Sequence, residues 1–159
     1  LGVVIQTITQ TSGTLIALCL GLYWSLSQAG LVPADSNPFL AVLQFNWNAL
    51  SPEKVDVLER SGETMAFLTL SLAELFRAYT VRSERMSLFQ IGVFSNKYMQ
   101  YAVGSSIILL LLVTNVPFLQ PIFNTHFLTL EQWLTVFGLA LIPAIAEEIT
   151  KAYLRTQKA

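Results

Sequence analysis

Charge is the scarcest property of this 159-residue chain: Asp, Glu, Lys and Arg make up only 12% of it. An average soluble domain carries roughly 25%. That density leaves too little polar surface to solvate a compact globule of this size, which argues against a soluble enzyme domain. A hydrophobic fraction of 53% excludes disorder. Cysteine is nearly absent as well. The single Cys19 lies in an apolar run, which excludes a disulfide framework within the chain and a Cys-based zinc site. One histidine, His126, with no second His or Cys nearby is a poor metal site, and Ser-His-Asp catalysis is equally unsupported. No Gly-rich phosphate loop occurs. A net charge of −1 gives no reason to expect nucleic acid. The opening LGVVIQTITQ has neither an initiator Met nor a basic leader region, so it does not resemble a signal peptide. It is expected to be a chain already in progress, part of a longer protein.

What is present is apolar sequence in membrane-length runs. Mean hydropathy is +0.57, and four segments approach the roughly 20 residues that a bilayer core requires. They cover residues 2–26, 63–82, 98–116 and 130–153. The fold class expected is an all-α membrane protein of four transmembrane helices, forming a single membrane unit over residues 1–159. The first span is the most polar, with Thr7, Thr9, Thr11, Ser12 and Thr14, and together with Gly13 these residues suit close helix packing. The connection 27–62 is long and contains Pro33, Pro38 and Pro52. Within it, Ser51-Pro52-Glu53 has the pattern of an N-cap followed by proline in the first helical turn. That pattern predicts a short amphipathic helix ending near Arg60. Pro143 is expected to kink the fourth span.

Charge sets the orientation. Arg77, Arg82, Arg85, Lys97, Lys151, Arg155 and Lys158 fall on one side, whereas Lys54 and Arg60 lie opposite in an acidic stretch. The positive-inside rule places the former in the cytoplasm. Four spans then put both termini inside and the long loop between the first two spans outside. Tyr98, Tyr101, Trp133, Tyr153 and Trp24 lie near span ends, as interfacial aromatics do.

Glu74 is the most informative residue. It is the twelfth residue of the twenty in the 63–82 span, where a charge costs about 2.5–3.5 kcal/mol on insertion scales. It therefore needs a partner, a proton or a cation. Helical spacing puts Thr64, Phe67, Ser71, Glu74 and Ala78 on one face, expected to look into a protein bundle rather than lipid. An oxygen-only site there suits hard cations or protons. The competing reading is a structural ion pair with Arg77, three residues on. A second charged cluster, Glu147, Glu148 and Lys151, falls at the cytoplasmic end of the fourth span. Paired carboxylates suit acid/base chemistry, but interfacial anchoring by snorkelling side chains is the simpler expectation.

These residues carry a resemblance. Thr64-Met65-Ala66-Phe67, then Glu74-Leu75-Phe76-Arg77-Ala78, then Arg82-Ser83 resemble the eighth transmembrane helix of type II P-type cation ATPases. Calcium pumps of the sarco/endoplasmic reticulum kind have a Thr-Met-Ala opening followed ten residues later by a calcium-binding glutamate, the spacing of Thr64 to Glu74. Secretory-pathway calcium pumps look closer still around Phe67-Leu68-Thr69 and Arg82-Ser83, and tend to carry aspartate at the position of Glu74. Val116-Pro117-Phe118-Leu119-Gln120-Pro121-Ile122-Phe123 resembles the loop between the ninth and tenth helices. Leu130 to Trp133, Pro143, and Glu148-Ile149 with Lys151 resemble the tenth. The ordered match covers residues 63–155; residues 1–62 match as a seventh helix and its outer loop.

The resemblance implies a complete pump in which ATP drives aspartyl phosphorylation and the membrane domain moves cations out of the cytoplasm. It implies calcium as the transported ion and Glu74 as the one ligand donated by this chain. The lipid bilayer and the pump's remaining transmembrane helices and cytoplasmic domains are the implied partners. ATP and magnesium belong to the complete pump: the phosphorylation motif, the nucleotide-binding loop and the other ligand-bearing helices are not in this sequence, so the chain alone is expected to be inactive. Arg77 stands where the matching pumps commonly have asparagine. A built-in cation there implies either one calcium site in place of two or proton movement. Two other readings stand beside the pump: a non-enzymatic four-span assembly or regulatory subunit, and a small intramembrane enzyme using Glu74 with Glu147 and Glu148.

Overall fold

The computed structural model describes residues 2–82, 90, 92 and 94–156. Ser83, Arg85 and Lys158, and the side chain of Arg155, lie outside the described residues. The described chain is all helical. In order it forms α1 (Gly2–Gln28), α2 (Pro38–Gln44), a 3-10 turn (Trp47–Ala49), α3 (Pro52–Thr80), α4 (Lys97–Asn115), α5 (Gln120–Phe123) and α6 (Leu130–Thr156). Among the described residues three helical stretches are long and apolar enough to cross a membrane: Gly2–Gln28, Lys97–Asn115 and Leu130–Leu154. These coincide with the first, third and fourth expected spans. The second differs, because its helical stretch 63–80 carries Glu63, Glu74 and Arg77.

The expectation of a separate amphipathic helix before the second span is corrected. Ser51 is the N-cap and Pro52 occupies the first turn, but no break follows near Arg60, and one 29-residue helix runs to Thr80. At 1.5 Å per residue α3 is about 43 Å long. That is longer than the roughly 30 Å thickness of a bilayer's hydrocarbon core, and the charged turns from Glu53 to Arg60 form its leading end. Continuity has a tertiary cause, since Ser61-Gly62, a pair that would suit a helix end, is buried where α3 packs on α1 and α6. Ser51 makes no side-chain cap bond. The helix α6 continues through Pro143.

Helices α1, α3 and α6 pack together. Gly21 of α1 meets Gly62 of α3, while Gln10 meets Glu74, so the two helices run antiparallel. The amide of Gln132 donates to the Ser61 hydroxyl at 3.2 Å, and Thr80 meets Lys151. Helices α3 and α6 are therefore parallel. The Tyr79 hydroxyl donates to Gln100 Oε1 at 2.9 Å near the start of α4. Beyond the other end of α4, the Thr125 hydroxyl donates to the Val113 carbonyl. The His126 N–H donates to Thr64 Oγ1 at 2.9 Å. Helix α4 thus runs opposite to α3, and the four long helices alternate in direction.

The closest approach is the Gly21–Gly62 crossing. A Cβ on Gly21 would lie 2.6 Å from Gly62 Cα and 2.9 Å from Ser61 O, so only glycine fits. Small residues allow helix backbones to approach without a hydrophobic driving force in lipid. Gly13 makes a looser contact of the same kind with α6, where its Cβ would stand 3.4 Å from Leu139 O. The hydrophobic core comprises Ala17, Met65, Leu68, Leu72, Ala73, Leu128, Val136 and Ala140. Phe76 and Phe137 meet edge-to-face at 5.4 Å on its flank.

A second cluster closes the C-terminal end of α1. Tyr23 and Leu26 of α1 pack on Val42 of α2. The Tyr23 hydroxyl donates to Ala34 O at 2.7 Å, tying the loop to the helix. The Asn37 side chain caps α2, accepting from Phe39 N–H at 3.0 Å and Leu40 N–H at 3.3 Å.

Candidate cation-binding site

Helix α1 has a polar edge because Thr7, Gln10, Thr11 and Thr14 recur at helical spacing. The antiparallel packing brings that edge beside the C-terminal half of α3. Together Thr7, Gln10, Thr11, Thr14 and Leu15 of α1 with Leu70, Glu74 and Arg77 of α3 line an open cleft of about 360 Å³. Glu74 is the one carboxylate among the described residues lining it. Gln10 Nε2 donates to Glu74 Oε1 at 2.7 Å, and Arg77 Nη1 stands 3.6 Å from Glu74 Oε2. The Thr7 hydroxyl donates to Val3 O and the Thr14 hydroxyl to Gln10 O, both at 2.9 Å. Each therefore spends its proton on the helix backbone and keeps oxygen lone pairs for a donor or a cation.

The ion-pair and cation readings of Glu74 meet in this geometry. Glu74 and Arg77 do pair, but their side chains remain 51% and 39% exposed. The carboxylate is held and still accessible. One carboxylate cannot enclose a calcium ion, which takes 6–8 oxygens. Among the described residues no group of three or more His, Cys, Asp or Glu side chains is gathered. Any complete site must draw oxygens from outside this set.

Of the face expected to look into a protein bundle, Thr64 is buried, Ser71 and Ala78 are half-buried, and Phe67 and Glu74 are exposed within this chain. The stripe of α3 that α1 and α6 cover is Thr64, Met65, Leu68, Thr69, Leu72 and Ala73. Glu74 lies just off that stripe, at its border with α1. Sequence reasoning missed Gln10, although its spacing from Gln6 and Thr14 on one edge of α1 was a readable signal.

The second charged cluster behaves differently from expectation. Lys151 does not snorkel outward, for it is only 4% exposed. Its ammonium donates to the backbone carbonyl of Thr80, the last residue of α3, and to Glu148 Oε1 at 3.0 Å. Glu147 Oε1 lies 3.8 Å away, while Glu147 Oε2 accepts the Thr80 hydroxyl at 2.6 Å. The cluster is thus a link between helices rather than a membrane anchor. It shares none of the residues lining the Glu74 cleft, but lies next to it, since the Thr80 hydroxyl also meets the carbonyl of the cleft residue Arg77 at 3.2 Å. His126 is exposed, and its Nδ1 is within 2.7 Å of the Phe127 carbonyl.

Comparison with known proteins bears on the whole chain. Residues 1–153 match the family described as "Cation transporting ATPase, C-terminus". "Calcium-transporting ATPase 1" of Bacillus cereus is 36% identical over 103 residues, covering 64% of this chain and 12% of that protein. "Calcium-transporting ATPase" of Bacillus subtilis is 46% identical over 82 residues, covering 52% of this chain and 9% of that protein. "Calcium-transporting ATPase type 2C member 1" of Mus musculus is 36% identical over 103 residues, 65% of this chain and 11% of that protein. The chain therefore spans about a tenth of the length of these relatives. The match favours a pump segment over a separate assembly subunit. With its three membrane-length apolar helices, the chain is an integral membrane protein belonging to the C-terminal family of cation transporting ATPases.

Proposed function

We propose that this chain is the C-terminal membrane unit, over residues 1–159, of an ATP-driven calcium transporter, and that Glu74 donates one acidic ligand to the transported ion. The observation that carries the reading is the placement of Glu74. Its carboxylate lines the open cleft between α1 and α3, oriented by Gln10 at 2.7 Å, on a side of α3 that this chain leaves open. The names of the relatives supply calcium as the cargo. ATP and magnesium act on the parts of the pump outside this sequence, and the remaining transmembrane helices complete the ion's oxygen shell.

Four crossings with both termini in the cytoplasm belong to the same proposal. Helix α3 is supported as the second crossing by its neighbours. It packs along α1 and α6, each apolar enough to span. Its contacts with α6 extend from Ser61 to Thr80, about 28 Å at the helical rise. A helix wedged so deeply between two spans shares their depth. Its charges then fall on the open side or at the ends. Arg77 acts as a resident cation that a bound ion must displace from Glu74, consistent with one site rather than two.

The test is Glu74→Gln in the full-length pump, assayed by calcium uptake into vesicles. Loss of one ligand charge is expected to raise half-saturating calcium by at least about ten-fold. Unchanged calcium dependence at normal expression overturns the ligand role.

A further inference from the structure

Lys151 is the most deeply buried charged side chain among the described residues, at 4% exposure, and the ligand chemistry does not use it. Its position is informative. Helix α3 ends at Thr80, and the last carbonyls of a helix lack partners within it. They also carry the negative end of the helix dipole, which a cation stabilises. Lys151 reaches from α6 to supply both, donating to the Thr80 carbonyl. Glu148 at 3.0 Å holds the ammonium from its own helix. Glu147 ties the Thr80 hydroxyl back to α6 at 2.6 Å. The main chain and the side chain of one residue of α3 are thus both fixed to α6. A well-packed apolar residue would often serve stability as well as a buried ion cluster. What the charged cluster adds is a single permitted register.

That register matters for Glu74. Six residues separate Glu74 from Thr80 on one continuous helix, about 9 Å. A slip of one residue would move the carboxylate by about 1.5 Å along the axis and turn it by about 100°. Calcium–oxygen distances lie within about 2.3–2.6 Å, so such a slip would remove the ligand. We propose that Lys151 is a positioning residue: it locks the cytoplasmic ends of α3 and α6 in register and thereby sets the depth and rotation of Glu74. The inference rests on the ligand role proposed for Glu74, while the lock itself is independent of that role.

Two readouts separate the parts. In the full-length pump, Lys151→Met is expected to speed amide hydrogen exchange in the last turn of α3 by at least about ten-fold, because it leaves Glu147 and Glu148 without their shared ammonium. Lys151→Arg is expected to retain most of the protection. Lys151→Met should also raise half-saturating calcium about three- to ten-fold with a smaller change in maximal rate, and add no further shift to Glu74→Gln. Glu147→Gln, which keeps the ammonium, provides a milder variant should Lys151→Met fail to express, and is expected to shift both readouts the same way. Unchanged exchange in Lys151→Met, or in Glu147→Gln if that variant stands in for it, overturns the lock. Faster exchange with unchanged calcium dependence overturns its control of Glu74. Faster exchange with a calcium dependence that Glu74→Gln leaves unaltered overturns the ligand role and leaves the lock standing.

Discussion

Placing a methyl group at the Gly21–Gly62 crossing tests the packing on which the site depends. In Gly21→Ala the new Cβ would meet three backbone atoms: Gly62 Cα at 2.6 Å, and Gly62 N and Ser61 O at 2.9 Å. Comfortable carbon–carbon contact is about 3.5–4.0 Å. Backbone cannot rotate aside, so α1 and α3 must separate by about 1 Å. Overpacking of this kind costs about 1–3 kcal/mol, here toward the upper end. Alanine recovers about 0.8–1.0 kcal/mol of intrinsic helix preference, leaving a net loss of about 2 kcal/mol. Gly62→Ala is the internal control. Its nearest neighbour would be Leu22 Cγ at 2.8 Å, with Leu18 O at 3.0 Å, and a leucine side chain can change rotamer. The net loss there is about 0–1 kcal/mol once helix preference is credited. Thermal inactivation of the detergent-solubilised pump reads the difference, with Gly21→Ala expected to be the less stable variant. Separation of the helices should also loosen the Gln10–Glu74 bond, so half-saturating calcium should rise in Gly21→Ala. Equal stability of Gly21→Ala and the parent, or the reverse order of the two variants, refutes the crossing as described.

Two further outcomes follow from individual contacts. Arg77→Gln removes the cation 3.6 Å from Glu74. Calcium binding in the full-length pump is expected to tighten, because the ion no longer competes with a resident cation; weaker binding would make Arg77 a helper rather than a competitor. Tyr23→Phe removes the bond from the Tyr23 hydroxyl to Ala34 O and should lower stability by about 1 kcal/mol. Faster hydrogen exchange confined to residues 31–45 would localise that loss, and a change spread through α3 would contradict it.

Much of the architecture was legible in the sequence because membrane-length apolar runs and charge placement are local properties. Residues 98–116 and 130–153 fell within a few residues of α4 and α6, and 2–26 matched α1. Hydrophobic runs of that length have few alternatives to helix in a bilayer. The pairing of Glu74 with Arg77 was legible too, since three residues on a helix bring side chains together. The start of α3 at Pro52 was visible in Ser51-Pro52-Glu53. Its continuity past Arg60 was not, because proline signals a beginning while nothing in residues 53–61 distinguishes one long helix from two short ones.

The sequence by itself therefore determined that this is an α-helical membrane chain, roughly where its long helices lie, and that Glu74 needs a partner. Only the tertiary structure decided which faces meet. The crossing at Gly21 and Gly62, the reach of Gln10 to Glu74 and the inward turn of Lys151 onto Thr80 each depend on two helices at once. Their relative rotation and register are set by side-chain packing across α1, α3 and α6, residues far apart in sequence. A periodic pattern identifies the polar edge of one helix, but it carries no information about which residue of another helix stands opposite.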